Sequence, residues 1–227
     1  MRPRKKKHGN ERILACSRFL IEDPRSLMDD PCAPFGKNRP IHLEIGCGKG
    51  SFATGLSTAR NDINLIAMEK ISDVAVTALE KTAETENERD DNLRFIIGDA
   101  KLLPEYFPEH SIDTIYINFC DPWPKKGHAK RRLTHRGFLE IYRKLLKEDG
   151  MLIFKTDNAG LFDFSMEEFK ENGLEIVWHT RDLHSETNEI AKNNIVTEYE
   201  RNFSAKGFNI CSAHVKFTQK ENTDESV

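Results

Sequence analysis

The turn Glu44-Ile-Gly46-Cys-Gly48-Lys-Gly50 constrains this chain more than any other segment. It follows an apolar run, Ile41-His-Leu-Glu-Ile45, and precedes a helical stretch reaching about Arg60. Its glycines permit left-handed backbone and let a ligand approach where a Cβ would collide. A strand that ends in such a turn and feeds a helix begins an α/β unit. The alternation continues beyond it, with strands predicted at Ile63–Met68, Leu93–Ile97, Ile112–Asn118 and Met151–Phe154. Helices are predicted from Ser72 (Val74, Ala75, Ala78, Leu79 and Ala83 on one face), over His135–Lys147 with Gly150 as its stop, and over Leu161–Glu171. Leu174–His179 and Phe208–Phe217 are two late strands with no clear helix between them, which implies a hairpin and one antiparallel strand. The expected fold class is α/β, a sandwich around a mostly parallel seven-stranded sheet.

The chain has 227 residues, enough for one large domain with appendages. Residues 1–40, with Pro24, Pro31, Pro34 and Pro40, read as a basic, mobile N-terminal arm with one helix near residues 10–21 and a proline-punctuated lead-in. Residues 41–217 form the main domain, and residues 218–227 read as a disordered tail. No apolar run approaches the ~20 residues that span a bilayer, and the basic N-terminus lacks the apolar stretch of a signal peptide. Five cysteines without a C-x-x-C pair fit a reduced, cytoplasmic setting. The histidines, His128 and His135 included, form no metal-ligand set, so no metal is expected. Oligomeric state stays open between a monomer and a homodimer.

Charge is segregated. The formal net charge is −3, yet residues 1–12 carry six cations against Glu11, and residues 125–136 carry six cations and no acid. An acidic body with two concentrated basic segments suits a polyanion met at a defined place. A solvated charge run is the blander reading, especially for the N-terminal cluster.

Acids end three successive strands. Glu44 precedes the first glycine, where it would repel a pyrophosphate but suits a cationic group such as the ammonium of a methionine moiety. Glu69 follows at about the ~20-residue interval that puts a carboxylate on a ribose diol. Asp99, in Gly98-Asp99-Ala100, suits an adenine amino group. The glycine spacing also differs from the dinucleotide pattern, so the combination reads as an S-adenosylmethionine site rather than a nicotinamide one. At the end of the fourth strand, Asn118-Phe-Cys-Asp121-Pro122-Trp123-Pro124-Lys125-Lys126 stiffens a loop with two prolines. Trp123 beside cations suits stacking on an extruded base; ordinary packing is the alternative. Lys125 to Arg136 would grip phosphates.

Glu44–Gly50, Asp121-Pro-Trp-Pro-Lys-Lys and Lys130-Arg-Arg-Leu-Thr134 together resemble the tRNA guanine-N7 methyltransferases. Lys155-Thr-Asp157-Asn158, Asp182-Leu-His184 and Thr197-Glu-Tyr-Glu200 extend the resemblance over about residues 40–217. It implies a class I methyltransferase (Rossmann-like) fold and methylation of a guanine in the tRNA variable loop. By position it implies cofactor contacts at Glu44, Gly46, Gly48, Gly50, Glu69, Asp99, Ala100 and Asp121, with Asp121 also the catalytic residue. Lys125, Asp157, Thr197, Glu198, Tyr199 and Glu200 would contact substrate, and Gly127, His128, Ala129, Lys130, Arg131 and Arg132 the RNA. Many relatives carry arginine where this chain has Gly127, which removes one phosphate contact. Asp157 and Glu200 could read the guanine donor edge, or serve as a helix cap or surface acid. Two other readings are weaker: a nucleic-acid amino-group methyltransferase, against which the order Asp-Pro-Trp-Pro argues, and an RNA-binding protein with a vestigial methyltransferase fold, against which the presence of all three cofactor acids and the glycines argues.

Overall fold

The computed structural model describes residues 6–85 and 90–217. Arg2, Arg4, Lys5 and the expected disordered tail lie outside the described residues. Strands β1 (Ile41–Ile45), β2 (Asn64–Glu69), β3 (Leu93–Ile97), β4 (Ile112–Asn118), β5 (Leu146–Thr156), β6 (Leu174–Thr180) and β7 (Cys211–Phe217) form one sheet in the order β3-β2-β1-β4-β5-β7-β6. β1 pairs parallel with β2 and β4, β2 with β3, and β4 with β5, whereas β7 runs antiparallel to both β5 and β6. The strand order reverses between β1 and β4, and such a switch point opens a crevice at the carboxyl edge of the sheet.

Helices cover both faces, which is why the parallel strands read as continuous apolar runs. On one face lie α1 (Gly9–Ala15), α2 (Ser51–Ala59) and α3 (Ser72–Glu84); on the other lie α4 (Leu103–Tyr106), α5 (Arg136–Leu145) and α6 (Ala159–Glu171). Alternate strand residues feed two cores. Leu43, Ile66 and Ile115 join Phe138, Tyr142 and Phe162, while Leu65, Ala67 and Tyr116 join Phe52, Leu56 and Leu79.

Three expectations change. The helix expected over His135–Lys147 ends at Leu145, and Gly150 lies within β5, where a Cβ would sit 2.8 Å from the Lys147 carbonyl oxygen. Between β6 and β7 the chain forms two short helices, α7 (Glu189–Lys192) and α8 (Glu198–Ser204), and β7 begins at Cys211, later than the expected Phe208. From Lys6 onward the N-terminal segment is laid against the body rather than projecting from it. α1 packs on α3, Arg12 forks onto Glu80 at 2.6 and 2.7 Å, and Phe19, Leu27 and Phe35 are buried. The apolar side chains spaced through that lead-in are what hold it down.

Candidate active site

The glycine turn lies at the switch point. Gly46 and Gly48 take φ of +80° and +57°, and a Cβ on either would have no atom within 4 Å, so both face open space. Gly50 differs: a Cβ there would meet Ala78 at 2.9 Å, so its bareness lets α2 and α3 pack. The turn opens onto a cleft of about 330 Å³ lined also by Glu44, Phe52, Asn118, Phe119, Thr197, Glu198 and Tyr199.

Glu44 is 2% exposed. Its Oε1 accepts from Asn118 Nδ2 at 3.2 Å, and its Oε2 has no hydrogen-bond partner among the described residues. Burial pushes its carboxyl up to about 7, partly offset by Asn118 and the Lys155 ammonium. A buried carboxylate left half-satisfied is costly, and a cation donating to Oε2 removes that cost. Glu69, at the end of β2, accepts from the Gly48 N–H at 3.0 Å and the Ile71 N–H at 2.9 Å, so it braces the turn while partial burial raises its carboxyl. Asp99 accepts from the Lys101 N–H at 3.0 Å and from Lys70 Nζ at 2.7 Å; against the burial that would raise it, Lys70 holds it below the usual carboxylate range. Ala100 beside it is buried.

The loop after β4 is strained on both sides of Asp121. Phe119 and Trp123, neither a glycine, take φ of +52° and +42°. Such conformations cost of order 1–3 kcal/mol each and persist only when their surroundings impose them. Here Arg132 imposes one: its Nε and Nη2 donate to the carbonyls of Pro122 and Trp123 at 3.0 Å each. Asp121 is exposed, and no hydrogen bond or ion pair engages it among the described residues; its charge helps raise Glu69. The neighbouring Cys120 thiol is pushed up to about 12 by burial and is inert.

A second segment closes the cleft from the side of β5. Lys155, 4% exposed, donates to Glu200 Oε2 at 2.9 Å, Asn194 Oδ1 at 2.8 Å and the Ile195 carbonyl at 3.1 Å. Thr197 caps α8, and Glu200 completes the capping box. Tyr199 reaches Asp157 through its hydroxyl at 3.4 Å.

The family model described as "Putative methyltransferase" matches residues 38–213. A curated relative from Geobacillus sp. (strain WCH70), named tRNA (guanine-N(7)-)-methyltransferase, is 43% identical over 97% of this chain and 97% of its own length. Relatives of the same name from Listeria innocua and Lactococcus lactis are 44% and 39% identical, covering 96% and 97% of this chain and 99% and 100% of theirs. The chain belongs to the tRNA (guanine-N7)-methyltransferase family. Solved structures of an antibiotic-related methyltransferase (18% identical, 83% of this chain and 92% of that one, TM-score 0.57) and of the 16S rRNA methyltransferase KamB (11%, 88% and 93%, 0.58) share its fold.

In this member of the tRNA methyltransferase family, three of the expected contact groups already have partners within the protein, and Glu200 takes the helix-cap alternative. Glu200 is fully buried and committed to Lys155, Asn194, His184 and the α8 cap, so its carboxylate is not free to read a base. Trp123 is already engaged: His128 meets it edge-on at 5.7 Å and the Arg131 guanidinium lies 4.9 Å from its ring centroid. The basic stretch is not uniform, because Arg132 staples the loop and stacks on Phe164, while Arg136 pairs with Glu168 and Glu171. Lys125, Lys126, Lys130 and Arg131 have no acidic partner among the described residues, and Gly127, His128 and Ala129 lie in the same exposed turn, Lys126–Arg131. Asn118 and Phe119 line the cleft and Lys155 anchors the segment beside it, and sequence reasoning gives none of the three a role; the polar or charged residues ending apolar strands at Asn118 and Lys155 are the available signal.

Proposed function

We propose that this enzyme transfers a methyl group from S-adenosylmethionine to N7 of a guanine in the variable loop of tRNA, in the cytoplasm. The observation that carries the reading is the orphaned, buried Oε2 of Glu44 beside two glycines whose missing Cβ atoms leave room for a ligand. When bound, S-adenosylmethionine supplies a methyl group on a positively charged sulfonium. Glu44 would take its ammonium, Gly46, Gly48 and Gly50 would shape the turn around it, Glu69 would take the ribose hydroxyls, and Asp99 with Ala100 would hold the adenine. Asp121 follows the cleft-lining pair Asn118 and Phe119 by two residues, and its charge reaches Glu69.

Guanine N7 already carries a lone pair, so no side chain has to deprotonate it. What these residues must supply is alignment and negative potential where positive charge grows on the purine. Asp121, exposed and paired with no cation among the described residues, provides that potential and can accept from guanine N1–H or the amino group. Asp157, held against the Tyr199 hydroxyl, is the second acid available to the base edge. Lys125, Thr197, Glu198 and Tyr199 line the approach of the substrate. Gly127, His128, Ala129, Lys130 and Arg131 face RNA, with Arg132 shaping the loop they sit on. Lys6 and Lys7 add to phosphate affinity at the N-terminus, whereas Arg12 is engaged by Glu80.

The test is incubation with unmodified tRNA and methyl-labelled cofactor, followed by nucleoside analysis. Label in N7-methylguanosine is the expected result. Label on an exocyclic amino group, or none, overturns the reading.

A further inference from the structure

α8 carries more aromatic surface than its packing uses. Tyr199 and Phe203, four residues apart, share one helix face, and their rings stack with centroids 4.2 Å apart at 16°. Inward, the Tyr199 ring lies 4.9 Å from that of Phe119, two residues before Asp121. Outward, the chain turns at Gly207 (φ +82°), the Phe208 N–H donates to the Phe203 carbonyl at 3.2 Å, and their rings stand 5.6 Å apart. That pattern is a Schellman stop, which explains why Phe208 touches Phe203. It does not explain why Phe208 remains 52% and Tyr199 42% exposed. Every other exposed large apolar side chain among the described residues is aliphatic, so the two aromatic ones both belong to this row. Beside it, the Lys206 ammonium lies 5.1 Å from the Phe203 ring centroid.

We propose that Phe119, Tyr199, Phe203 and Phe208 form a stacking track for unpaired nucleotides next to the target guanine, with Phe208 as its outer platform and Lys206 set for a phosphate. This inference rests on the reading that RNA is the substrate. Three features select unpaired RNA as the occupant. Any base offers a π face to an exposed ring. A cation stands beside the rings. The inner end of the row is continuous with the cleft and with the loop carrying Lys125 and Lys126.

The test compares Phe208→Leu, Phe208→Ala and Phe208→Tyr with the wild-type protein. Loss of one stacked base raises KM for tRNA on the order of tenfold in the Leu and Ala variants. Cofactor Kd and the salt slope of tRNA binding stay as in wild type, since no phosphate contact is removed, and Phe208→Tyr restores KM to within about twofold. A short single-stranded RNA bearing 2-aminopurine gives a second readout: its fluorescence is quenched on the wild-type protein and not on Phe208→Leu. Unchanged KM and unchanged quenching in Phe208→Leu overturn the track. So does a wild-type dimer that this substitution splits, because the row would then bury itself against a second copy. If the wild-type protein places no label on tRNA, the reading of the function fails, while the quenching comparison still decides the track.

Discussion

Lys155 and Glu200 are joined by a 2.9 Å ion pair with side chains 4% and 0% exposed. All three Lys155 donors have acceptors, since Asn194 and the Ile195 carbonyl take the other two. The carboxylate in turn accepts from Asn194 Nδ2 at 2.7 Å and meets His184 Nε2 at 3.2 Å. Burial pulls the lysine down from its ordinary value, and Glu200 opposes that shift. The pair latches α8, and with it Tyr199, to the carboxyl end of β5.

A latch of this kind is costly to half-remove, because a lone buried charge remains. Glu200→Ala is expected to lose about 3–5 kcal/mol in urea unfolding. The double variant Lys155→Met with Glu200→Leu should recover most of that stability yet keep low kcat/KM for tRNA. Recovery of both together would mean the pair serves folding alone.

What the sequence made legible follows from this contrast. Buried parallel strands announce themselves as apolar runs, and a glycine turn marks the ligand edge, so the sheet and Glu44 could be read directly. α7 and α8 span only Glu189–Lys192 and Glu198–Ser204, too short to show a helical period. Glu200 looked available because its partner lies 45 residues away. Charge counting likewise finds cations but not their partners: Arg132 and Arg136 count toward the basic stretch, and only packing shows that backbone carbonyls and Glu168 hold them.

Glu44 sets a pH dependence. Its folded value of about 7 lies above the ordinary 4.5. The folded, ligand-free protein therefore binds the proton more tightly than the unfolded chain. This contribution to stability is complete below about pH 4.5 and disappears as pH rises through about 7. Glu44→Gln should accordingly raise Tm relative to wild type at pH 8 but not at pH 4. It should weaken cofactor binding most at pH 8, where the wild-type carboxylate is ionised. Calorimetry near pH 7 in buffers of different ionisation enthalpy should show proton release on binding by the wild type and none by Glu44→Gln.

Asp121→Asn keeps the size of the side chain and one acceptor oxygen but removes its charge. If Asp121 acts through negative potential, kcat falls by roughly 100-fold or more, while cofactor Kd changes little because Glu44, Glu69 and Asp99 are intact. Steady-state kinetics beside a cofactor titration separates the two. Wild-type-like turnover would assign Asp121 no electrostatic role.

The basic turn can be dissected by salt. Each phosphate contact contributes nearly one to the slope of log affinity against log salt. Lys126→Gln and Lys130→Gln, which break no ion pair among the described residues, should each flatten that slope while leaving the unfolding midpoint unchanged. Arg136→Gln should do the reverse, costing stability through Glu168 and Glu171 with the slope kept. Gly127 supplies the opposite experiment. A Cβ there meets nothing within 4 Å and its φ is not left-handed, so arginine fits without strain. Gly127→Arg should steepen the slope by about one and tighten tRNA binding at low salt, with Tm unaltered. Filter binding across a salt series measures all four variants together. An unchanged slope in Gly127→Arg would mean that this part of the turn faces away from the phosphates, leaving Lys125 and Arg131 to make the contact.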